Sequence, residues 1–427
     1  MEKKAWVVAV DMGYGHQRAA YPFKDIAYER VINANSDKMI SHTEKRTWNE
    51  ARSFYEWVSR AAEWPVIGKI IFSIFNYAQK IDPYYPREPD TKPNYQVRYL
   101  DKKIKDGMGK SLINYVTKKK IPFLTTFYIP AIAANIYNLP KIYCVITDTD
   151  INRMWVPKNP ESSKITYLAP CQHAVNRLIS YGVKVDKIIL TGFPLPKECI
   201  GKNSEITKKS LAKRLINLDP KKVFLKSRLG EIKSLLGKDF DIEAKSQPPT
   251  ITFAVGGAGA QKEIGIEIMR WLKKKIINNM VRLILVAGTH LDIKQYFEEE
   301  IQREGLAEYY QKNIFVLAEM SKKDYFAKFN EALNETDVLW TKPSELSFYS
   351  ALGLPIIIAP HVGAHEEWNE KWLLEIGAGL KQEDPRYVSE WLDEWLSDGR
   401  LAMRALEGFL NAPRMGTYEI EKVLFKK

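Results

Sequence analysis

The run Ala5-Trp6-Val7-Val8-Ala9-Val10, followed at once by Asp11-Met12-Gly13-Tyr14-Gly15-His16-Gln17-Arg18-Ala19-Ala20, decides how the chain is read. An unbroken apolar run of this length predicts a strand buried on both faces. Gly13 and Gly15 predict a turn in which backbone approaches a ligand closely, and the residues after them a helix with His16 at its mouth. Amides at a helix start attract anionic or polyhydroxy groups, so the turn is one expected wall of a ligand site. The second half repeats the arrangement. Thr250 to Val255 reads as a strand, Gly256-Gly257-Ala258-Gly259-Ala260-Gln261 as a turn and Lys262 to Lys275 as a helix. Two such halves predict two α/β domains facing a cleft.

Further strands are expected at Phe123 to Phe127, Ile142 to Ile146, Ile165 to Leu168 and Lys187 to Thr191 in the first half. In the second they are expected at Arg282 to Ala287, Ile314 to Leu317, Val338 to Trp340 and Pro355 to Ala359. Strands alternating with helices predict parallel, doubly wound sheets, in which ligands bind beyond the carboxyl ends of the strands. Gly192-Phe193-Pro194-Leu195-Pro196 stops the first pattern, and Pro248-Pro249 precedes the second. The expected domains are therefore 1–196, a basic helical connector or insertion over 197–248, 249–384, and a helical tail over 385–427.

The chain has 427 residues, 45% of them hydrophobic, and a formal charge of +12. That length suits two ordinary cores and excludes a disordered or fibrous protein. The positive balance suits anionic partners such as nucleotide diphosphates or acidic lipid, although many of the lysines belong to the solvated stretch between Gly201 and Lys245. Three scattered cysteines, Cys144, Cys171 and Cys199, predict a reducing compartment, and the first residues lack a signal-peptide pattern. A cytoplasmic location is expected, with peripheral contact at the inner face of the membrane. No 18-residue apolar run spans a bilayer. The aromatic stretch Trp64 to Tyr77 reads either as an interfacial segment or as a core helix.

Chemistry-bearing residues gather at the strand ends. A histidine side chain can accept a proton near neutral pH, and Asp148 stands at a strand's carboxyl end, so His16 and Asp148 are both candidates for a general base; bonding to backbone and capping of a turn are their plain structural alternatives. Gly256 and Gly257, with Gly259, put main-chain amides where a diphosphate would be held, while Lys262 breaks any dinucleotide fingerprint. Ser344 reads as an N-cap and Glu345 as a first-turn acid after Lys342. Asp148-Thr149-Asp150 has the letters of a metal-binding pair but lies in the first half, so no metal is assigned. Asp106-Gly107-Met108-Gly109-Lys110-Ser111 lacks the first phosphate-loop glycine and reads as a helix start. The connector has no aromatic-basic platform, which argues against nucleic acid.

The Gly13 to Ala20 turn, Val145-Ile146-Thr147-Asp148 with Trp155, Thr191-Gly192-Phe193-Pro194, Gly256-Gly257, and Trp340-Thr341-Lys342-Pro343 through Gly353-Leu354-Pro355 to Glu366-Glu367-Trp368-Asn369 occur in one order. That order resembles the family 28-like glycosyltransferases, the diacylglycerol galactosyl- and glucosyltransferases and the peptidoglycan lipid-intermediate N-acetylglucosaminyltransferases. The likeness covers roughly residues 5 to 200 and 249 to 380. It implies a GT-B fold of two Rossmann-like domains and metal-independent, inverting transfer from a UDP-sugar donor to a lipid or lipid-linked acceptor, with no cofactor. It implies that Gly13, Gly15, His16, Asp148 and Trp155 serve the acceptor and the chemistry. Gly288, Thr289, Met320, Lys342, Ser344, Glu345, His365, Glu366 and Asn369 would join the glycines in holding the donor.

Two departures stand out. Asn152-Arg153-Met154 fill the interval where lipid-glycosylating relatives have a histidine, which offers Arg153 to an anionic acceptor. The loop from Lys342 to Ser347 is about two residues short and has no glycine. A UDP-sugar 2-epimerase-like enzyme and a non-catalytic nucleotide-sugar-binding descendant are the alternatives.

Overall fold

The computed structural model describes residues 3–48, 81, 84–85, 89–238, 240–257, 259, 261–361 and 364–426. The stretch from Trp64 to Tyr77 therefore lies outside the described residues. The chain divides into two compact units. Unit 1 holds Met1–Leu195, Val362–Trp368 and Met415–Lys427; unit 2 holds Pro196–His361 and Asn369–Arg414.

The sheet of unit 1 contains β1 (Ala5–Ala9), β2 (Ala27–Asn33), β3 (Phe123–Thr125), β4 (Ile142–Val145), β5 (Ile165–Ala169) and β6 (Ile188–Leu190). Their order is β2-β1-β3-β4-β5-β6, every pair parallel. Unit 2 contains β7 (Thr250–Ala254), β8 (Arg282–Gly288), β9 (Ile314–Ala318), β10 (Val338–Thr341), β11 (Ile356–Ile358) and β12 (Gly379–Lys381). Here the order is β12-β11-β10-β7-β8-β9, again all parallel. Each unit is a doubly wound α/β fold of the Rossmann-like kind the sequence predicts. In each, the winding direction reverses beside the first strand: between β1 and β3 in unit 1, and between β7 and β10 in unit 2. Helices diverge at such a reversal and leave a crevice at the carboxyl ends of the strands.

Two strands escape the sequence pattern, β2 and β12, and both are sheet edges. An edge strand is covered less completely and needs no continuous apolar run. Accordingly β2 is Ala-Tyr-Glu-Arg-Val-Ile-Asn with two exposed residues, and β12 is only Gly-Leu-Lys.

The basic stretch 197–248, expected as a helical connector or insertion, is built into unit 2. Its helix Glu205–Leu218 buries Leu211, Leu215 and Leu218 in that unit's core. On the same helix Arg214 is buried and donates to the carbonyls of Thr336, Leu352 and Leu333 at 2.6, 2.7 and 2.9 Å. Desolvation lowers its pKa to about 10. The tail expected over 385–427 divides. Trp391 packs on Trp340 of β10 at 5.3 Å between ring centroids, inside unit 2. The helix Gly416–Phe425 instead sends Ile420 and Leu424 into the core of unit 1, against residues of β1, β3, β4 and β5. Cys144, Cys171 and Cys199 are buried thiols, none of them in a disulfide. Among the described residues no helix is long and apolar enough to cross a membrane.

Candidate functional site

In unit 1 the chain leaves β1 through Asp11–Tyr14 and enters the short helix Gly15–Ala20. Gly13 takes φ +89°, the left-handed region open to glycine, so the turn could not be made with a side chain there without strain. Asn35 clamps the turn from the far side, its Oδ1 accepting from the Asp11 amide at 2.8 Å and its Nδ2 donating to the Asp11 carbonyl at 3.1 Å. The helix is only six residues long, so its own dipole is a poor anion site. What the turn presents is His16.

The His16 ring is fixed by the reversal point of the sheet. Its Nδ1 lies 2.8 Å from the carbonyl oxygen of Thr126, just past β3, and Thr126 Oγ1 donates back to the His16 carbonyl at 2.8 Å. A carbonyl can only accept, so this bond assigns the hydrogen to Nδ1 and the lone pair to Nε2. Thr147 Oγ1 stands 3.4 Å from Nδ1 and 3.4 Å from Asp148 Oδ2, between the two expected base candidates and too far to bond either strongly. Phe127 meets the imidazole edge-on at 4.6 Å, and Trp155 lies 6.3 Å away. His16, Asp148 and Trp155 are thus brought together, with Gly13 and Gly15 at the same turn.

Arg153 is spent differently from its expected role. It is 2% exposed, donates through Nη1 to the carbonyls of Val156 and Pro157 at 2.8 and 3.3 Å, and through Nη2 to that of Thr91 at 3.1 Å. Burial lowers its pKa. The group is a strut inside the fold, not a surface cation awaiting an acceptor. Asp150 is likewise structural: its buried carboxylate takes Arg177 Nε and Nη2 and His173 Nε2, each at 2.8 Å, plus the Ile151 amide at 2.8 Å. Every lone-pair direction is used within the protein. Among the described residues no three His, Cys, Asp or Glu side chains gather to hold a metal ion. At the helix Lys110–Val116, Glu44 accepts from the amides of Gly109 and Ser111 at 3.1 and 2.9 Å. A carboxylate already fills the place a phosphate loop would offer.

In unit 2 the glycine turn follows β7, and the side chain of Lys342, just past β10, lies across Gly256. A Cβ added to Gly256 would stand 2.7 Å from Lys342 Cε and 3.5 Å from Nζ. Glycine here admits a cation to the main chain. His290 holds the turn from β8, its Nε2 2.9 Å from the Gly257 carbonyl, and Gly259 takes φ +77° with its amide donating to the Gly256 carbonyl at 2.8 Å. The longer helix Lys262–Ile277 then begins, with no side-chain cap on its first amides. Amides, helix start and ammonium converge at the reversal point between β7 and β10. His290 was missed in the sequence; a histidine closing the neighbouring strand was the available signal.

The remaining candidates spread along the same strand ends. Gly288 (φ +71°) and Thr289 close β8, and Met320, 87% exposed, follows β9, whose exit Glu319 donates its amide to the Gly288 carbonyl at 2.9 Å. Ser344 caps Glu345–Leu352, accepting from the Leu346 amide at 3.5 Å; the element is a 3-10 helix rather than an α-helix. Asn369 is fully buried, with Nδ2 3.4 Å from the Pro343 carbonyl, which joins the helix Ala364–Glu375 to the Lys342 loop. Glu366 is buried on that helix in the segment grouped with unit 1, and His365 precedes it.

A family described as a domain of unknown function, DUF6938, matches residues 240–424. No curated protein matches the chain. Among solved structures it is similar to a UDP-GlcNAc 2-epimerase from Neisseria meningitidis bound to UDP-GlcNAc, at 14% identity over 84% of this chain and 88% of that one, TM-score 0.46. It is also similar to MurG from Acinetobacter baumannii, at 12% identity over 99% and 100% of the two chains, TM-score 0.47. The S. aureus MnaA-UDP structure is similar at 11% identity over 99% and 95%, TM-score 0.47.

Proposed function

We propose that the protein is a GT-B glycosyltransferase that moves a sugar from a UDP-sugar to a hydroxyl of a lipid or lipid-linked acceptor at an anionic membrane surface. The observation that carries this reading is the His16 imidazole, held through Nδ1 by the Thr126 carbonyl and separated from the Asp148 carboxylate by the Thr147 hydroxyl, 3.4 Å from each. In the reaction Nε2 takes the acceptor proton as the hydroxyl oxygen attacks the sugar's anomeric carbon, and the bond to the diphosphate breaks on the opposite face. That displacement inverts the anomeric centre. Asp148 offsets the charge of the imidazolium that forms.

The leaving diphosphate needs positive charge and donors. Lys342 lying across Gly256, with the amides of the turn and of the Lys262–Ile277 helix, supports assigning that task to unit 2. Gly288, Thr289 and Met320 would border the nucleoside, and Ser344, Glu345, His365, Glu366 and Asn369 the sugar and ribose.

A thermal-shift panel of UDP, GDP, dTDP and their sugars tests the donor. Stabilisation by UDP compounds that disappears in Gly257→Asp is expected; indifference to every nucleotide overturns the proposal. Product analysis with UDP-GlcNAc separates transfer from 2-epimerisation, and binding without either product would assign the chain to a non-catalytic nucleotide-sugar-binding role.

A further inference from the structure

The helix Tyr95–Lys105 has two unlike faces. Val97, Leu100 and Ile104 are buried in unit 1 at 3%, 6% and 0% exposure. On the opposite side Tyr95, Arg98, Tyr99 and Lys102 follow the i, i+3, i+4, i+7 spacing of a single stripe. Tyr95 and Tyr99 are 79% and 52% exposed, with ring planes 23° apart and centroids 6.4 Å apart, and Lys103 reaches over the Tyr99 ring at 5.4 Å. Asp101 pairs with Lys105 at 2.8 Å. Among the described residues Arg98, Lys102 and Lys103 have no carboxylate partner. Two amphipathic rings set among three uncompensated cations suit a lipid-water interface: the rings lie at headgroup depth and the cations meet anionic headgroups.

The helix is also held rigidly beside the candidate chemistry. Asn94 caps it, accepting from the Val97 amide at 2.9 Å, and Tyr137 OH donates to the Ile104 carbonyl at 2.9 Å. It packs beside the turn Arg153–Trp155. Arg153 ties that turn to the Thr91 carbonyl three residues before the cap, and Trp155 faces His16. A membrane contact on this helix would therefore be rigidly coupled to the residue proposed to deprotonate the acceptor.

We propose that the Tyr95, Arg98, Tyr99, Lys102 and Lys103 face is a docking surface for an anionic lipid bilayer. This rests on the membrane-surface reading above and gives it a location.

The test is co-sedimentation of the full chain with phosphatidylcholine vesicles, with and without phosphatidylglycerol. The variants are Arg98→Gln/Lys102→Gln/Lys103→Gln and Tyr95→Ser/Tyr99→Ser. A basic residue near an anionic surface contributes about 1 kcal/mol, roughly a fivefold change in partitioning, so the triple variant should bind on the order of 100-fold less. Its melting temperature and its response to UDP should stay those of the parent, because all three side chains reach solvent. Weaker binding of the tyrosine pair variant separates interfacial burial from bulk charge. If the parent pellets with anionic vesicles and both variants pellet equally well, this location is wrong while the membrane reading stands. If the parent pellets with neither vesicle, both fall. Tighter retention by a single-stranded oligonucleotide than by anionic vesicles would give the face to nucleic acid and overturn the proposal.

Discussion

The two glycine turns hold the same topological position in two sheets and present different groups. After β1, the turn is clamped by Asn35 and projects one side chain, His16, whose tautomer is set by the Thr126 carbonyl and whose surroundings are aromatic. After β7, Gly256, Gly257 and Gly259 carry no side chain, and Gln261 Nε2 donates to the Pro360 carbonyl at 2.7 Å. Gly256 leaves room for the Lys342 side chain, and Gly257 is held through its carbonyl by His290. A reversal point in a parallel sheet supplies the crevice in both cases; residues from the neighbouring strands decide whether an imidazole or main chain beside a lysine is presented there.

The largest test of this contrast is His16→Ala. A general base contributes about 10²- to 10⁴-fold, so turnover should fall by that order while UDP-induced stabilisation is unchanged. Equal loss of nucleotide binding would show that the two turns are not separate in function.

Next in size is a pH effect confined to unit 2. Asp337 is buried beneath β10, and desolvation raises its pKa to about 6 against backbone, Asn217 and Arg214 contacts that lower it. A carboxyl with a raised folded pKa adds stability that is complete below its unfolded value and is lost as pH rises through about 6. The unfolding free energy of unit 2 from denaturant titration should therefore drop between pH 4 and pH 7, by at most about 3 kcal/mol, and Asp337→Asn should flatten the profile. A unit 2 midpoint with the same slope in parent and variant would remove Asp337 as the cause.

Gly256→Ala comes third. The new methyl meets the flexible end of Lys342, which can swing away, so stability should change little while UDP affinity falls about tenfold, a difference of ~1.4 kcal/mol. Calorimetric titration reads this directly; unaltered affinity would free Lys342 from any part in binding. The smallest effect is expected from Thr147→Val. At 3.4 Å its hydroxyl bonds neither neighbour well, and turnover should stay within about threefold. A hundredfold loss would transfer the orienting role from Thr126 to Thr147.

Interior strands were legible from sequence because a parallel strand covered on both faces must be apolar throughout, as in Ala5 to Ala9 and Thr250 to Ala254. The glycine turns were legible for the same local reason. Edge strands β2 and β12 were not, since an edge imposes no such pattern. The site was only half legible. His16 and Gly256 are visible as letters beside a strand, but Thr126 and Lys342, which give them their tautomer and their charge, lie 110 and 86 positions away. Arg153 shows the reverse error: its charge suggested an acceptor contact, whereas three carbonyls that no motif announces take its Nη1 and Nη2 donors inside the fold. The composition of the basic stretch 197–248 left open whether it connects or inserts, because the leucines hidden among its lysines carry packing that charge does not announce.

The helix Gly416–Phe425 places the closing piece of unit 1 after the whole of unit 2 in the sequence. During translation the early sheet must wait, its Ile420 and Leu424 seats vacant and open to water, until the ribosome has passed the whole of the later unit. A nonsense codon or a protease cut just past Arg414 would thus spare every residue of the later unit and injure the earlier one.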